Sequence, residues 1–139
     1  MQPDQSTHWV HTARGLTLLA LLTIAGLSQA AFAATKVITD AYKGGKVHLK
    51  ASDTLELRLK SNPSTGYIWY VEKESTPLMK LIRQSQIEST KQGVGRPVVQ
   101  VFIFEPRRSG DGKLLLHYVR SWDPPAPDEQ QFEILVVIQ

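Results

Sequence analysis

The 139-residue chain contains no cysteine. This absence excludes disulfide bonds, thiolate metal sites and a cysteine nucleophile, so core packing alone must hold the fold together. Charge of one sign is nowhere concentrated: 16 Lys+Arg and 13 Asp+Glu give a net charge of +3, and the densest basic run is Arg107-Arg108. Proteins that bind nucleic acid usually gather their cations on one face or in one block. We therefore expect no nucleic-acid partner.

Residues that could support catalysis are also scarce. Beyond the N-terminal segment the histidines are His48 and His117, which lie far apart on two expected strands. The sequence contains no Gly-x-Ser-x-Gly elbow and no group of closely spaced metal ligands. A hydrolase that uses His117 has almost no support. We predict that the protein is not an enzyme and that it carries no catalytic residue, no metal and no other cofactor.

One long apolar run is present, Gly15–Leu27, and it is uncharged. It is too short to span a bilayer, which needs about 20 residues. Arg14 precedes the run, and Ala31-Phe32-Ala33 follows it with the small-x-small pattern of a signal-peptidase site. These features are typical of a secretory signal peptide. A buried or amphipathic first helix is the alternative interpretation.

The signal sequence predicts how the chain is divided. We expect residues 1–33 to be a signal peptide that is cleaved after Ala33, with Ala30 and Ala31 as alternative sites. Residues 34–139 then form one domain of 106 residues. The mature protein is expected to be periplasmic or secreted, with no membrane insertion after cleavage.

The mature chain has the hydrophobic pattern of β-strands. In Thr54–Lys60, leucine alternates with charged residues without interruption, which is the period of a half-buried strand. Val98–Phe104 and Phe132–Ile138 are rich in β-branched and aromatic residues, which favour strands. Further strands are expected at Lys36–Ile38, Lys46–Leu49, Ile68–Val71, Lys80–Ile87 and Lys113–Arg120.

Turn signals separate these segments. They are Gly44-Gly45, Asn62-Pro63, Gly93-Val94-Gly95, Gly110-Asp111-Gly112 and Pro124-Pro125-Ala126-Pro127. Seven or eight short strands in about 100 residues predict an all-β protein, an immunoglobulin-like antiparallel β-sandwich. A small barrel is the alternative architecture.

The most unusual segment is Ser61-Asn62-Pro63-Ser64-Thr65-Gly66-Tyr67, which contains the chain's single asparagine. An asparagine side chain can form an Asx-turn with its own backbone, proline fixes one φ angle, and glycine accepts positive φ. We expect a loop with little conformational freedom, which lowers the entropic cost of binding. A merely tight connection between strands is the alternative.

Two further segments have the composition of binding loops. Lys91-Gln92-Gly93-Val94-Gly95-Arg96 is a basic loop with two glycines, and no Gly-Lys-Ser/Thr of a phosphate loop follows it. Arg120-Ser121-Trp122-Asp123 ends a strong strand with two residue types that dominate interface hot spots. Because Trp122 stands beside Asp123-Pro124-Pro125, we expect it in a loop and not in the core.

In this order, the three segments resemble the chagasin family of papain-like cysteine protease inhibitors. The family has an Asn-Pro-x-Thr-Gly-Tyr/Phe loop, a Gly-x-Gly-Gly loop and an Arg-Pro-Trp loop. Here Arg96 stands where the family has its last glycine, and Ser121 stands where it has proline. The residues at the positions of the three family loops are Asn62, Pro63, Ser64, Thr65, Gly66 and Tyr67, then Gly93, Val94, Gly95 and Arg96, and finally Arg120, Ser121 and Trp122.

The resemblance implies a reversible, tight-binding inhibitor whose three loops lie at one end of a sandwich and close the cleft of a papain-like cysteine protease. It implies that Thr65 lies nearest the catalytic cysteine, with the Trp122 loop and the Gly93–Arg96 loop on the two flanks. The protein would act as a monomer. An exported immunoglobulin-like module for adhesion or envelope assembly is the alternative function.

Overall fold

The computed structural model describes residues 32–73, 77–88, 97–123 and 130–139. These residues contain eight strands: β1 (Thr35–Thr39), β2 (Lys46–Leu49), β3 (Thr54–Ser61), β4 (Ile68–Val71), β5 (Met79–Ile87), β6 (Val98–Pro106), β7 (Gly110–Val119) and β8 (Gln131–Ile138). Each strand predicted from the sequence is present. Two short 3-10 turns, Asp40–Tyr42 and Pro63–Thr65, complete the described elements. In this part of the chain, no helix has the length and apolarity needed to cross a bilayer.

The strands form two four-stranded sheets that pack face to face. The strand order is β1-β3-β6-β5 in the first sheet and β2-β8-β7-β4 in the second. Four of the neighbouring pairs are antiparallel, whereas β1 pairs with β3 and β2 pairs with β8 in parallel. The prediction of an immunoglobulin-like sandwich is confirmed, and the two parallel pairs are an addition that local patterns do not reveal.

The core follows from the alternation seen in the sequence. Leu55, Leu57 and Leu59 of β3 are fully buried, as are Phe102 and Phe104 of the neighbouring β6. Burial of each such side chain contributes about 1.5–3 kcal/mol before entropic costs. The second sheet faces them with Leu114, Leu116, Phe132, Ile134 and Val136. This continuous apolar layer holds the fold together without any disulfide.

The predicted turn at Gly110-Asp111-Gly112 is wrong, because these residues begin β7 and pair with the end of β8. Gly112 meets a packing requirement instead: a Cβ there would lie 2.8 Å from Cδ1 of Leu78. The chain reverses before the strand begins, at residues 107–109. A glycine needed for close packing therefore produced a false turn signal.

Strand register determines which connections share one end of the sandwich. Ser61, the last residue of β3, pairs with Val98, the first residue of β6. In the second sheet Ile68, the first residue of β4, pairs with Val119, the last residue of β7. The β3–β4 connection and the segment after β7 therefore leave the sandwich side by side.

Candidate functional site

The connection between β3 and β4 is a closed and internally bonded loop. Pro63–Thr65 forms a 3-10 turn, and Gly66 ends it with a φ of 84°, in the left-handed region that favours glycine. The backbone N–H of Thr65 donates to the carbonyl of Asn62 at 3.0 Å, and the N–H of Gly66 donates to the carbonyl of Pro63 at 2.9 Å. The hydroxyl of Thr65 donates to the same Asn62 carbonyl at 2.7 Å.

The side chain of Asn62 does not form the predicted Asx-turn, because it makes no capping bond to the backbone. Its Oδ1 accepts a hydrogen bond from the Ser64 hydroxyl at 2.5 Å. The asparagine therefore holds the loop through a side chain two residues on and not through a backbone amide. The expected restriction of the loop is present, although the bond that supplies it differs.

Aromatic residues support the base of this loop. The Tyr118 hydroxyl accepts from the backbone N–H of Asn62 at 2.9 Å. The Tyr118 ring lies 5.4 Å from that of Tyr67 and 4.9 Å from that of Trp69, measured between centroids. The indole N–H of Trp69 donates to the carbonyl of Lys60 at 2.8 Å. Both ends of the loop are thus tied to a rigid aromatic platform.

A buried glutamine joins this platform to the other sheet. Gln100 of β6 is fully buried among apolar residues, and its register partner on β3 is Leu59. Its Oε1 accepts from the backbone N–H of Trp69 at 2.7 Å, and its Nε2 donates to the Trp69 carbonyl at 3.3 Å. Because β4 is an edge strand, Gln100 takes the place of a missing neighbouring strand.

The segment after β7 carries an exposed tryptophan. Trp122 is 70% exposed, as its position beside Asp123-Pro124-Pro125 predicted. The backbone N–H of Asp123 donates to the carbonyl of Arg120 at 3.0 Å, which closes a turn around Ser121 and Trp122. The Nε–H of Arg120 donates to Oδ2 of Asp123 at 2.9 Å, and this bond raises the pKa of the guanidinium.

Arg120 connects the two loops. Its guanidinium carbon lies 4.8 Å from the ring centroid of Tyr67 and 5.6 Å from that of Trp122, both within cation–π distance. A Cβ on Gly66 would lie 3.0 Å from Cη2 of Trp122 and 3.3 Å from Cγ of Arg120. The Asn62–Tyr67 loop and the Arg120–Trp122 loop therefore form one surface, with the indole at its edge.

Substitution of Gly66 by alanine tests this contact. We expect a loss of about 1–2 kcal/mol of stability from the left-handed backbone, together with displacement of the Trp122 indole. Gly44→Ala is the matched control, since Gly44 has a φ of 77° and a Cβ added there would meet no atom within 4 Å. Both variants should lower the melting temperature by similar amounts, and only Gly66→Ala should shift the NMR resonance of the Trp122 indole N–H. An unchanged resonance would show that the loops do not touch.

The third predicted segment, Gly93, Val94, Gly95 and Arg96, lies outside the described residues. The described residues on either side of it lie at the end of the sandwich where β3 leads into the Asn62–Tyr67 loop. Ile87 ends β5 opposite Val99, and Val98 begins β6 opposite Ser61, directly before Asn62. The predicted binding function of these four residues stays a prediction.

The histidines occupy the positions expected of surface residues on strands. His48 is exposed on β2, and His117 is partly buried on β7, with its Nε2 3.3 Å from Oε2 of Glu72. Within the described ranges, no group of three or more potential ligands could hold a metal ion. Both histidines lie within strands, outside the Asn62–Tyr67 and Arg120–Trp122 loops.

Comparison with known proteins identifies the family of the chain. Residues 48–136 match the model of the family described as "Chagasin family peptidase inhibitor I42". The chain belongs to the chagasin family. Membership in a family of peptidase inhibitors confirms the predictions that the protein resembles chagasins and is not an enzyme. The matched range begins in β2 and ends in β8, so it includes both described loops.

Individual chagasin-family relatives are distant but cover most of the domain. The chain is 25% identical to Amoebiasin-2 of Entamoeba histolytica over 114 residues, which are 81% of this chain and 93% of the relative. It is 27% identical to Chagasin of Trypanosoma cruzi over 101 residues, which are 70% of this chain and 92% of the relative.

Solved structures agree with the sequence matches. The crystal structure of the cysteine protease inhibitor EhICP2 from Entamoeba histolytica has a TM-score of 0.68 and 25% identity, covering 76% of this chain and 96% of that one. The solution structure of Amebosin has a TM-score of 0.60 and 22% identity, covering 78% and 99%. The sandwich described above is therefore the chagasin fold.

Sequence reasoning assigned no supporting role to three residues that build the joined loop surface: Gln100, Tyr118 and Asp123. Gln100 is detectable as the one polar residue on the inward face of an otherwise apolar alternation. Asp123 is detectable by its spacing of three residues from Arg120. The bond from Asn62 to Tyr118 spans 56 residues and leaves no local signal.

Proposed function

We propose that the mature domain is a reversible, tight-binding inhibitor of papain-like cysteine proteases, acting as a monomer that closes the active-site cleft with one end of the sandwich. The observation that carries this proposal is the joined surface of the Asn62–Tyr67 and Arg120–Trp122 loops, with the Trp122 indole 70% exposed at its edge. An apolar ring of this size on a polar surface is typical of an interface hot spot. The relative EhICP2, which has the same fold, is a cysteine protease inhibitor.

The loop geometry is suited to entering a narrow cleft. Four internal hydrogen bonds hold residues 62–66, so the loop loses little conformational entropy on binding. Ser64 and Thr65 are the exposed residues of its 3-10 turn. In the proposed complex Thr65 lies beside the catalytic cysteine. Internal hydrogen bonds hold the backbone there in a turn, and in this proposal inhibition involves neither a covalent bond nor cleavage.

Trp122 supplies most of the apolar contact in this proposal. A tryptophan can bury about 150–250 Å², which corresponds to roughly 4–6 kcal/mol before ordering costs. Arg120 holds the ring from one side, so the indole is partly ordered before it meets a protease. The Trp122 loop and the Gly93–Arg96 loop contact opposite flanks of the cleft in this complex.

Hydrogen bonds around Ser121, which stands where the family has proline, compensate for the missing restraint. Proline stiffens a loop by fixing φ, and Ser121 lacks that restraint. Here the turn is closed by the N–H of Asp123 to the carbonyl of Arg120 and by the side-chain pair of the same two residues. The Arg120–Asp123 pair supports the proposal that the Trp122 loop remains ordered without proline.

We also propose that the inhibitor acts outside the cytoplasm, in the periplasm or after secretion. The support is the apolar run Gly15–Leu27 behind Arg14 and the small-x-small pattern Ala31-Phe32-Ala33. In this proposal residues 1–33 are removed and residues 34–139 form the active domain. The absence of cysteine means that the domain needs no oxidation to fold there.

The experiment that tests the function is steady-state inhibition of a panel of papain-like cysteine proteases. We expect the purified domain to inhibit at sub-micromolar concentration, reversibly and without being cleaved. A serine protease serves as the control enzyme and should be unaffected. Absence of inhibition of every papain-like enzyme at ten-micromolar protein would contradict the proposal. Partner binding that survives deletion of Ser64-Thr65 would favour the adhesion module.

A further inference from the structure

Near the start of the described residues, the backbone of Ala34 lies against the carboxylate of Asp53, which can accept a positive charge. The backbone N–H of Ala34 donates to Oδ1 of Asp53 at 3.2 Å. The carbonyl of the same residue accepts from the N–H of Thr54 at 2.8 Å. Ala34 directly precedes β1, so both of its backbone groups are fixed against the turn that leads into β3.

Asp53 is unusual because the residue is only 5% exposed and the hydrogen-bond partners of its carboxylate in the described ranges are backbone groups. Its Oδ2 accepts from the N–H of Lys50 at 2.8 Å, and this bond lowers the pKa of the carboxyl group, although burial opposes the shift. Lys36, His48 and Lys50 line the same cavity. Their side chains do not form an ion pair with Asp53 in the described part of the chain.

We propose that the Ala33–Ala34 peptide bond is the processing site and that the ammonium group released on Ala34 forms an ion pair with Asp53. A signal peptidase supplies the hydrolysis: water adds across the bond, Ala33 leaves with the new carboxylate, and Ala34 keeps the nitrogen as an ammonium group. This inference rests on the proposed export and is independent of protease inhibition. It assigns Asp53 the role of anchoring the mature N-terminus.

Geometry selects this site over the two alternatives that the sequence left open. Cleavage after Ala30 or Ala31 would put the charge on Ala31 or Phe32, upstream of the nitrogen that contacts Asp53. Phe32 is 89% exposed and makes no strand, and the first strand of the described residues begins at Thr35. Cleavage before Ala34 therefore removes no strand residue and places the charge at the nitrogen that already reaches the carboxylate.

The ion pair stabilises β1, which is an edge strand of the first sheet. β1 pairs with a single neighbour, β3, in parallel, and it begins beside the turn that Asp53 organises. The amide bond to Asp53 already has an ionised acceptor. An ammonium donor adds the Coulombic attraction between two opposite charges to this bond. The cleaved protein thus fastens its first strand more tightly than the precursor does.

The first test identifies the N-terminus. The full chain is expressed in a Gram-negative bacterium, and the intact mass of the periplasmic product is measured. We expect a chain that begins at Ala34. A product that begins at Ala31 or Phe32, or an unprocessed chain, would overturn the assignment of the processing site. Ala33→Leu places a large residue before the bond and should abolish formation of this product.

The second test measures the ion pair in that periplasmic product. Transamination with pyridoxal 5′-phosphate converts the Ala34 amine to a ketone and leaves side-chain amines intact. We expect the melting temperature to fall by about 3 °C or more, and by less than about 1 °C in Asp53→Asn. Equal decreases in both proteins would overturn the ion pair. If Asp53→Asn does not fold, the α-amino pKa of the wild type replaces it: a value above the ordinary 7.7–8.0 is expected, and one at or below that range contradicts the pair.

Discussion

Replacement of Trp122 by alanine is expected to weaken inhibition of a papain-like protease by between about 30-fold and 1,000-fold, or about 2–4 kcal/mol. The ring is 70% exposed in the free protein, so its removal takes little from the core. The loss should therefore appear in the inhibition constant, and mainly in the dissociation rate. The measurement is a slow-binding inhibition assay run beside a thermal melt.

Two further variants make the Trp122 experiment specific. Trp122→Phe keeps an aromatic ring above Arg120 and should recover most of the lost affinity. Tyr42→Ala removes another exposed aromatic residue, which lies in the β1–β2 connection, and should leave inhibition unchanged. Equal loss of inhibition in Trp122→Ala and Tyr42→Ala would contradict a direct role for the indole. A loss of folding stability in Trp122→Ala as large as its loss of binding free energy would contradict it as well.

The second large effect is expected from Gln100→Leu, which keeps a side chain of similar size but removes both bonds to Trp69. The N–H and the carbonyl of Trp69 then lose their partner in a partly buried setting. We expect a loss of about 2–4 kcal/mol of stability and a melting temperature lower by about 10–20 °C. Inhibition should weaken as well at temperatures where the variant is folded, because Trp69 supports the Asn62–Tyr67 loop.

The cross-strand neighbour provides the control for this variant. Gln86 of β5 pairs with Gln100 in register and is exposed. Gln86→Leu makes the same chemical change one strand away and should alter stability by less than about 0.5 kcal/mol. If the two variants are equally stable, Gln100 is an ordinary core-facing residue and not the link between the sheets.

The strands could be predicted because their information is local. In Thr54–Lys60 of β3 every second residue is a leucine, and all three leucines are fully buried in the structure. The same alternation placed Gln100 on a strand but could not reveal what a buried amide would bond to. Its partner, Trp69, is 31 residues away in the opposite sheet. Contacts between sheets depend on strand register and topology, and the two-residue alternation of a strand specifies neither of them.

The candidate surface was predictable in part for the same reason. The position of Trp122 beside Asp123 and two prolines indicated exposure, and the composition of residues 61–67 indicated a restricted loop. The link between these segments through Arg120 required the fold, because register brings Ile68 and Val119 together. Gly112 shows the opposite error, since its small size serves packing under Leu78 and not a turn.

The central claim is that the Asn62–Tyr67 loop occupies the active-site cleft. Because the chain contains no cysteine, a single introduced thiol tests this claim most directly. Thr65→Cys introduces a single thiol, which is activated as a mixed pyridyl disulfide and mixed with a papain-like protease. If Thr65 lies beside the catalytic cysteine, exchange should yield a disulfide-linked one-to-one complex on the order of 100-fold faster than Asp111→Cys, whose exposed position is at the start of β7. Equal rates for the two variants would contradict the claim.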